Sequence, residues 1–168
     1  RPPPGCGTIR FMPLEPEIAG LLDAMAEGGG PQIYELPVAE ARAVADLLIP
    51  LGGEGAEIAG QIEREIGGVP SVVYTPLGDG PFPVLVFIHG GGWVINRPLN
   101  YHTVCQDLAA GAGCIVVSIA YRLAPEYKAP AAADDSIAAV GWVLDHADEI
   151  GGDASRVAVG GDSAGGNL

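Results

Sequence analysis

The chain has 168 residues, 48% of them apolar and 17% charged, which is enough apolar material for a sizeable core and too little charge for a disordered segment. Its 21 acidic and 8 basic residues leave a net charge of −13. Without a basic face, nucleic acid and anionic membranes are excluded as main partners.

Cys6, Cys105 and Cys114 are too few and too scattered for a disulfide framework, and no CxxC pair points to a zinc ribbon. The longest apolar runs are strand-sized, so no segment is expected to span a membrane. No charged-then-apolar signal pattern opens the chain, which makes a cytoplasmic location the expectation.

Residues 1–11, RPPPGCGTIRF, are basic and proline-rich, unlike the rest of the chain. They read as a non-native or disordered leader, with Met12 as the natural start. Ile18, Leu21, Leu22 and Met25 then recur at helical spacing until Gly28-Gly29-Gly30-Pro31. A second helix is predicted over 38–48, stopped by Pro50. Residues 57–66 alternate in part and suit an outer strand. The β-branched run 71–75 predicts a strand before Pro76, and Gly78-Asp79-Gly80 is turn chemistry. The continuous apolar run 84–88 predicts a strand buried on both faces. A helix over 100–110, a buried strand over 114–119, a long helix over 131–148 and a last strand over 157–159 complete the series.

From residue 84 onward strands and helices alternate, which requires crossovers and hence a parallel sheet with helices on both faces. The two early helices lie outside this rhythm and are expected to form a cap. The expected organisation is a leader at 1–11, a helical cap region at 12–50, and the first part of a catalytic domain at 51–168.

Three segments carry chemistry. The pattern Gly161-x-Ser163-x-Gly165 directly follows a short apolar strand, the context a nucleophile elbow needs. Small neighbours let strand and helix approach closely on the sharp turn that lifts the hydroxyl above the sheet. His89-Gly90-Gly91-Gly92-Trp93 stands at the carboxyl end of the strand 84–88, where parallel sheets form ligand sites. Its successive glycines leave backbone N–H groups open to an incoming oxygen, which suits an oxyanion hole. Tyr121-Arg122-Leu123-Ala124-Pro125-Glu126 follows the strand 114–119; an Arg122–Glu126 pair is expected to pin this loop as a scaffold. Asp134 and Asp135 diverge as helical neighbours and do not suggest a metal pair. Asp162 should point away from the hydroxyl of Ser163, and surface or packing roles are expected for His102 and His146.

In this order, HGGGW at 89–93, YRLAPE at 121–126 and GDSAGGNL at 161–168 resemble the hormone-sensitive-lipase-like branch of the α/β-hydrolases, microbial carboxylesterases and lipases among them. The resemblance runs from about Met12 to Leu168. It implies an α/β-hydrolase fold, a mostly parallel sheet with helices on both faces and an N-terminal helical cap. It implies that Ser163 is the acyl-forming nucleophile and that the N–H groups of Gly91, Gly92 and Ala164 form the oxyanion hole, with His89 and Gly90 in the oxyanion motif. The substrate would be a small-molecule carboxylic ester, and neither metal nor organic cofactor is called for. Two alternatives share this framework: a non-catalytic ligand-binding member, as in the plant gibberellin receptor, and an amidase or lactonase. One departure is Ala120, where the family often has an Asp before the Tyr-Arg pair; local packing is expected to feel it more than chemistry. Asp135 matches a recurrent family Asp.

A serine nucleophile needs a base, and in this fold the order is Ser, then Asp or Glu, then His. Only Ala164, Gly165, Gly166, Asn167 and Leu168 follow Ser163, and all three histidines precede it. The expectation is an N-terminal piece of an enzyme about twice this length by family resemblance, with the C-terminal half of the fold, the catalytic acid and the catalytic His outside it. The 168-residue polypeptide alone is therefore expected to be inactive and poorly soluble; ester turnover by the purified polypeptide at an ordinary enzymatic rate would overturn this.

Overall fold

Two runs rich in Val and Ile form inner strands of the sheet. In the computed structural model, which describes residues 13–28 and 31–168, they are the strands Phe82–Ile88 (β3) and Ile115–Ile119 (β4), and the strand Gly152–Gly161 (β5) lies at the edge beside β3. Two further strands, Gly60–Ile66 (β1) and Val69–Thr75 (β2), complete the order β1-β2-β4-β3-β5. β3 pairs in parallel with β4 and with β5, as the strand–helix alternation requires, while β1–β2 and β2–β4 pair antiparallel. The sheet is therefore mixed.

Register sorts the apolar side chains onto two faces. Val84, Val86 and Ile88 stand opposite Ile115, Val117 and Ile119, and with Ile66, Val69 and Val73 they face the helix Ala131–His146 (α4). Leu85, Phe87, Val116 and Tyr74 point the other way, towards the helix His102–Ala112 (α3). Burial on both faces explains why β3 reads as an unbroken apolar run and β4 as one interrupted only by Ser118, instead of alternating. The helices meet the sheet through small residues, Ala132, Ala139 and Val143 from α4 and Cys105 and Ala109 from α3. Cys105 and Cys114 are buried free thiols.

β1 and β2 form a hairpin. Ile66 pairs with Val69 across Gly67 and Gly68, whose φ values of +60° and +79° suit a two-residue turn matched to the twist of the strands. β5 is longer than the predicted 157–159. Its glycines at both ends stay in the ladder, Gly152 opposite Phe82 and Gly161 opposite Ile88. α4 ends at His146, two residues before the predicted end, and a tight helical turn at Ala147–Ile150 carries the chain to a left-handed Gly151.

The chain divides into two compact units between Glu35 and Leu36. The first contains the helix Pro16–Glu27 (α1), opened by a proline and closed by Gly28. The leader 1–11, Cys6 and the start at Met12 lie outside the described residues. The second unit begins with the helix Val38–Asp46 (α2) and contains the whole sheet. Pro50 lies within a short helical turn, Ile49–Gly52, after α2. Among the described residues no helix is long and apolar enough to cross a membrane.

The loop after β4 is anchored to α4 by an ion pair. Asp135, 9% exposed, accepts from the Arg122 backbone N–H at 2.8 Å and from the Arg122 guanidinium Nε and Nη2 at 3.0 and 2.7 Å. Burial pushes the Asp135 carboxyl up, but the Arg122 hydrogen bonds and charge outweigh it and hold it below the ordinary carboxylate value. With the folded-state pKa lowered, the stabilisation is full above the unfolded value of about 4 and is lost as pH falls through the folded value. Asp135→Asn is expected to lower the thermal midpoint at pH 7 by roughly 2–8 °C and to shrink the further loss on acidification below about pH 4. Thermal melts across pH measure both, and identical acid limbs in the two proteins would contradict it.

Candidate active site

The pairing of the three parallel strands brings distant segments to one edge. Ile88 stands opposite Ile119 of β4 and Gly161 of β5, so His89, Tyr121 and Ser163 all follow the carboxyl ends of neighbouring strands. This is the edge at which open α/β sheets bind ligands.

Ser163 begins the short helix Ser163–Asn167 (α5) and is exposed. Its φ is +49°; with Trp93 at +61° and Asn96 at +71° it is one of three non-glycine residues with positive φ among the described residues, all in the segments that leave this edge. The turn is crowded. A Cβ on Gly161 would lie 2.6 Å from the Ile88 carbonyl oxygen, and one on Gly165 would strike the same oxygen and approach that of His89 to 2.6 Å. Glycine at both positions is what allows α5 to press against the end of β3. The N–H groups of Gly165 and Gly166 close the turn on the Asp162 carbonyl at 2.8 and 3.2 Å.

The Asp162 side chain points away from the serine towards the loop after β3. Its Oδ1 accepts from the Gly90 N–H at 2.7 Å and its Oδ2 from the Tyr101 hydroxyl at 3.0 Å. Burial, then that hydrogen bond, pushes the Tyr101 phenol up to about 12, so it stays a donor. His89 is buried and stacked on Tyr121, ring centroids 4.3 Å apart. Its Nδ1 lies 2.8 Å from the Gly90 carbonyl, which can only accept, so Nδ1 carries the proton. Burial pushes the imidazole below its ordinary value, against the raising effects of Gly90 and Asp162. The Tyr121 hydroxyl donates to the His89 carbonyl at 2.8 Å.

Beyond His89 the loop turns back on itself. The N–H groups of Val94 and Ile95 both donate to the Gly91 carbonyl, at 3.1 and 2.9 Å, and Gly91 has φ +126°. The N–H groups of Gly91, Gly92 and Ala164 find no backbone acceptor among the described residues. The sequence-derived candidates thus lie in two segments bridged by Asp162.

The expected Arg122–Glu126 pair does not form. Arg122 turns to Asp135, and Glu126 pairs with Arg42 of α2 at 2.7 Å. Spacing of i, i+4 brings side chains together only on a helix, and residues 121–126 are not helical. Asp162 as a bridge, Tyr101 and Arg42 are the participants that sequence reasoning missed; only the position of Asp162 inside a recognised motif could have pointed to one of them. The other two histidines are engaged elsewhere. His102 Nδ1 lies 3.2 Å from the Tyr74 hydroxyl, and His146 stacks on Trp142.

A cavity of about 420 Å3 adjoins the loop and α5, with Trp93, Tyr127, Pro130 and Asn167 in its walls. A larger one of about 620 Å3, around Tyr74, Arg97 and His102, touches none of the candidate residues. The larger cavity is therefore not the one beside the candidate residues.

Residues 85–168 match the alpha/beta hydrolase fold family. The chain is 50% identical over 103 residues to the carboxylic ester hydrolase LipN of Mycobacterium tuberculosis, an alignment covering 61% of this chain and 27% of that protein. Among solved structures it is similar to the hyperthermophilic esterase of the archaeon Pyrobaculum calidifontis, with TM-score 0.83 and 35% identity over 93% of this chain and 51% of that one. It is also similar to an ester hydrolase from the metagenome of Lake Arreo complexed with a bipyridine phosphonate derivative, with TM-score 0.81 and 40% identity over 89% of this chain and 50% of that one. The chain thus spans about half the length of these structures and about a quarter of LipN. With half its length in the family match and its strands in this order, the chain belongs to the alpha/beta hydrolase fold family.

Proposed function

We propose that the whole protein hydrolyses carboxylic esters, with Ser163 as nucleophile. The observation that carries this reading is Ser163 at φ +49° on a glycine-crowded turn, tied through Asp162 to the HGGGW loop. The ester hydrolases to which the chain is similar support the same substrate class.

In this reading the Ser163 oxygen attacks the ester carbonyl carbon as its proton passes to a base. The carbonyl oxygen becomes an oxyanion, held by the N–H groups of Gly91, Gly92 and Ala164. Collapse of the tetrahedral adduct expels the alcohol with a proton and leaves an acyl group on Ser163. Water then attacks, releasing the carboxylic acid and restoring the hydroxyl. None of this chain's histidines is proposed as the base: His89 is buried and bonded to Gly90, His102 contacts Tyr74, and His146 stacks on Trp142. The base and its orienting acid are proposed to lie outside these 168 residues.

The test is Ser163→Ala in the whole protein. Turnover of a short-chain ester is expected to fall by roughly 10⁴–10⁶-fold, and a phosphonate is expected to add its mass to the peptide carrying Ser163 in the wild type alone. Near-wild-type turnover by the variant would overturn the assignment. Binding of an ester without turnover by the wild type would instead favour the ligand-binding alternative.

A further inference from the structure

Arg42 stands near the middle of α2, and from sequence it is an unremarked helix-surface charge. In the structure its side chain, 32% exposed, makes four hydrogen bonds to two loops. Nε donates to the Val94 carbonyl at 2.8 Å, Nη1 to Glu126 Oε1 at 2.9 Å, and Nη2 to both Glu126 Oε2 at 2.7 Å and the Ala124 carbonyl at 3.1 Å. Four of the five guanidinium N–H donors are engaged in one plane, a pattern an ammonium cannot copy.

One of these contacts, to Val94, falls on the loop that carries Gly91 and Gly92, and the other three fall on the loop after β4 that is bonded to it. The Val94 N–H holds the Gly91 carbonyl while Arg42 holds the Val94 carbonyl, and the Ala124 N–H donates to the Trp93 carbonyl at 2.8 Å. On the other side, Asp162 holds the Gly90 N–H and the Asn96 side chain donates to the Gly90 carbonyl at 3.2 Å. A run of three glycines has little rigidity of its own, so the direction of its N–H groups depends on such external ties. Oxyanion donors act only when fixed about 2.7–3.1 Å from the developing charge.

We infer that Arg42 is a positioning residue for the oxyanion loop: by clamping Val94, Ala124 and Glu126 to α2 it sets the direction of the Gly91 and Gly92 N–H groups. The inference rests on the proposed ester hydrolysis at Ser163. Arg42 acts through the loop and touches no reacting atom. It also makes α2, which supplies no reacting group, part of what determines the rate of the chemical step.

The test uses Arg42→Ala and Arg42→Lys in the whole protein, with rates expressed per serine titrated by a phosphonate, so that unfolded molecules do not count. Phosphonate labelling of wild-type Ser163 comes first and tests the underlying reading separately. For Arg42→Ala, kcat is expected to fall about 10- to 100-fold, with KM within about threefold. Arg42→Lys, which keeps the charge and loses the fork, is expected to fall between the two. A boronic acid, whose tetrahedral serine adduct places an oxygen among the loop N–H groups, should lose affinity in step with kcat/KM. Arg64→Ala removes an ion pair to Glu149 of similar exposure, and kcat is expected to be unchanged. Wild-type labelling with kcat per titrated serine within about twofold in both Arg42 variants would overturn the inference and leave the serine mechanism standing. If Arg42→Ala does not fold, an unchanged kcat and boronic acid affinity in Arg42→Lys overturns it alone.

Discussion

The close approach of the turn at residues 161–165 to the end of β3 is the constraint on which the candidate site depends. Gly161 and Gly165 lie against the Ile88 carbonyl, at distances that leave no room for a methyl group. That contact sets the sharpness of the turn, which in turn puts Ser163 in a conformation that L-residues seldom adopt. It also brings Asp162 within reach of the Gly90 N–H, so the two motifs are joined by hydrogen bonds as well as by strand pairing. Strain of this kind persists only where the surroundings over-determine it, and here the surroundings are the apolar ladders of β3, β4 and β5.

The sheet delivers this contact through register. A slip of one residue between β3 and β5 would exchange the α3 and α4 faces of β5 and carry the serine turn away from the HGGGW loop. Pairs such as Val84 with Val157 and Val86 with Val159 oppose such a slip wherever a face is covered. β5 is an edge strand, and Val159 is 54% exposed beside Ile137 and Leu144 of α4. Its register is therefore held mainly from the β3 side.

Much of the fold was legible in the sequence, for a physical reason. Parallel strands buried on both faces are apolar along nearly their whole length, and the runs at 84–88 and 114–119, the second broken only by Ser118, show that pattern. From sequence β5 looks shorter than it is because Gly152, Gly160 and Gly161 resemble breakers, although in the structure they are paired ladder residues. The β1–β2 hairpin is marked in the sequence by Gly67-Gly68, the pair that forms its turn. Of the candidate site, the two glycine motifs and Ser163 were legible because their chemistry is local. The partners of Glu126 and Asp162 were not, because they depend on which segments the sheet brings together. Arg42 lies 84 residues before Glu126, and neither spacing nor composition links them.

Every arginine among the described residues is spent on a carboxylate: Arg42 on Glu126, Arg64 on Glu149, Arg97 on Asp46, Arg122 on Asp135 and Arg156 on Asp153. The first three of these ties join segments more than 50 residues apart. In a chain whose described cysteines are free, guanidinium groups act as its long-range cross-links. Among the described residues most of the 21 carboxylates have no such partner, so the charge left over there is nearly all negative. Exchanging arginine for lysine in this chain would therefore keep the net charge and loosen the connections between segments, and the mutual repulsion of the remaining carboxylates would act on whatever had come loose.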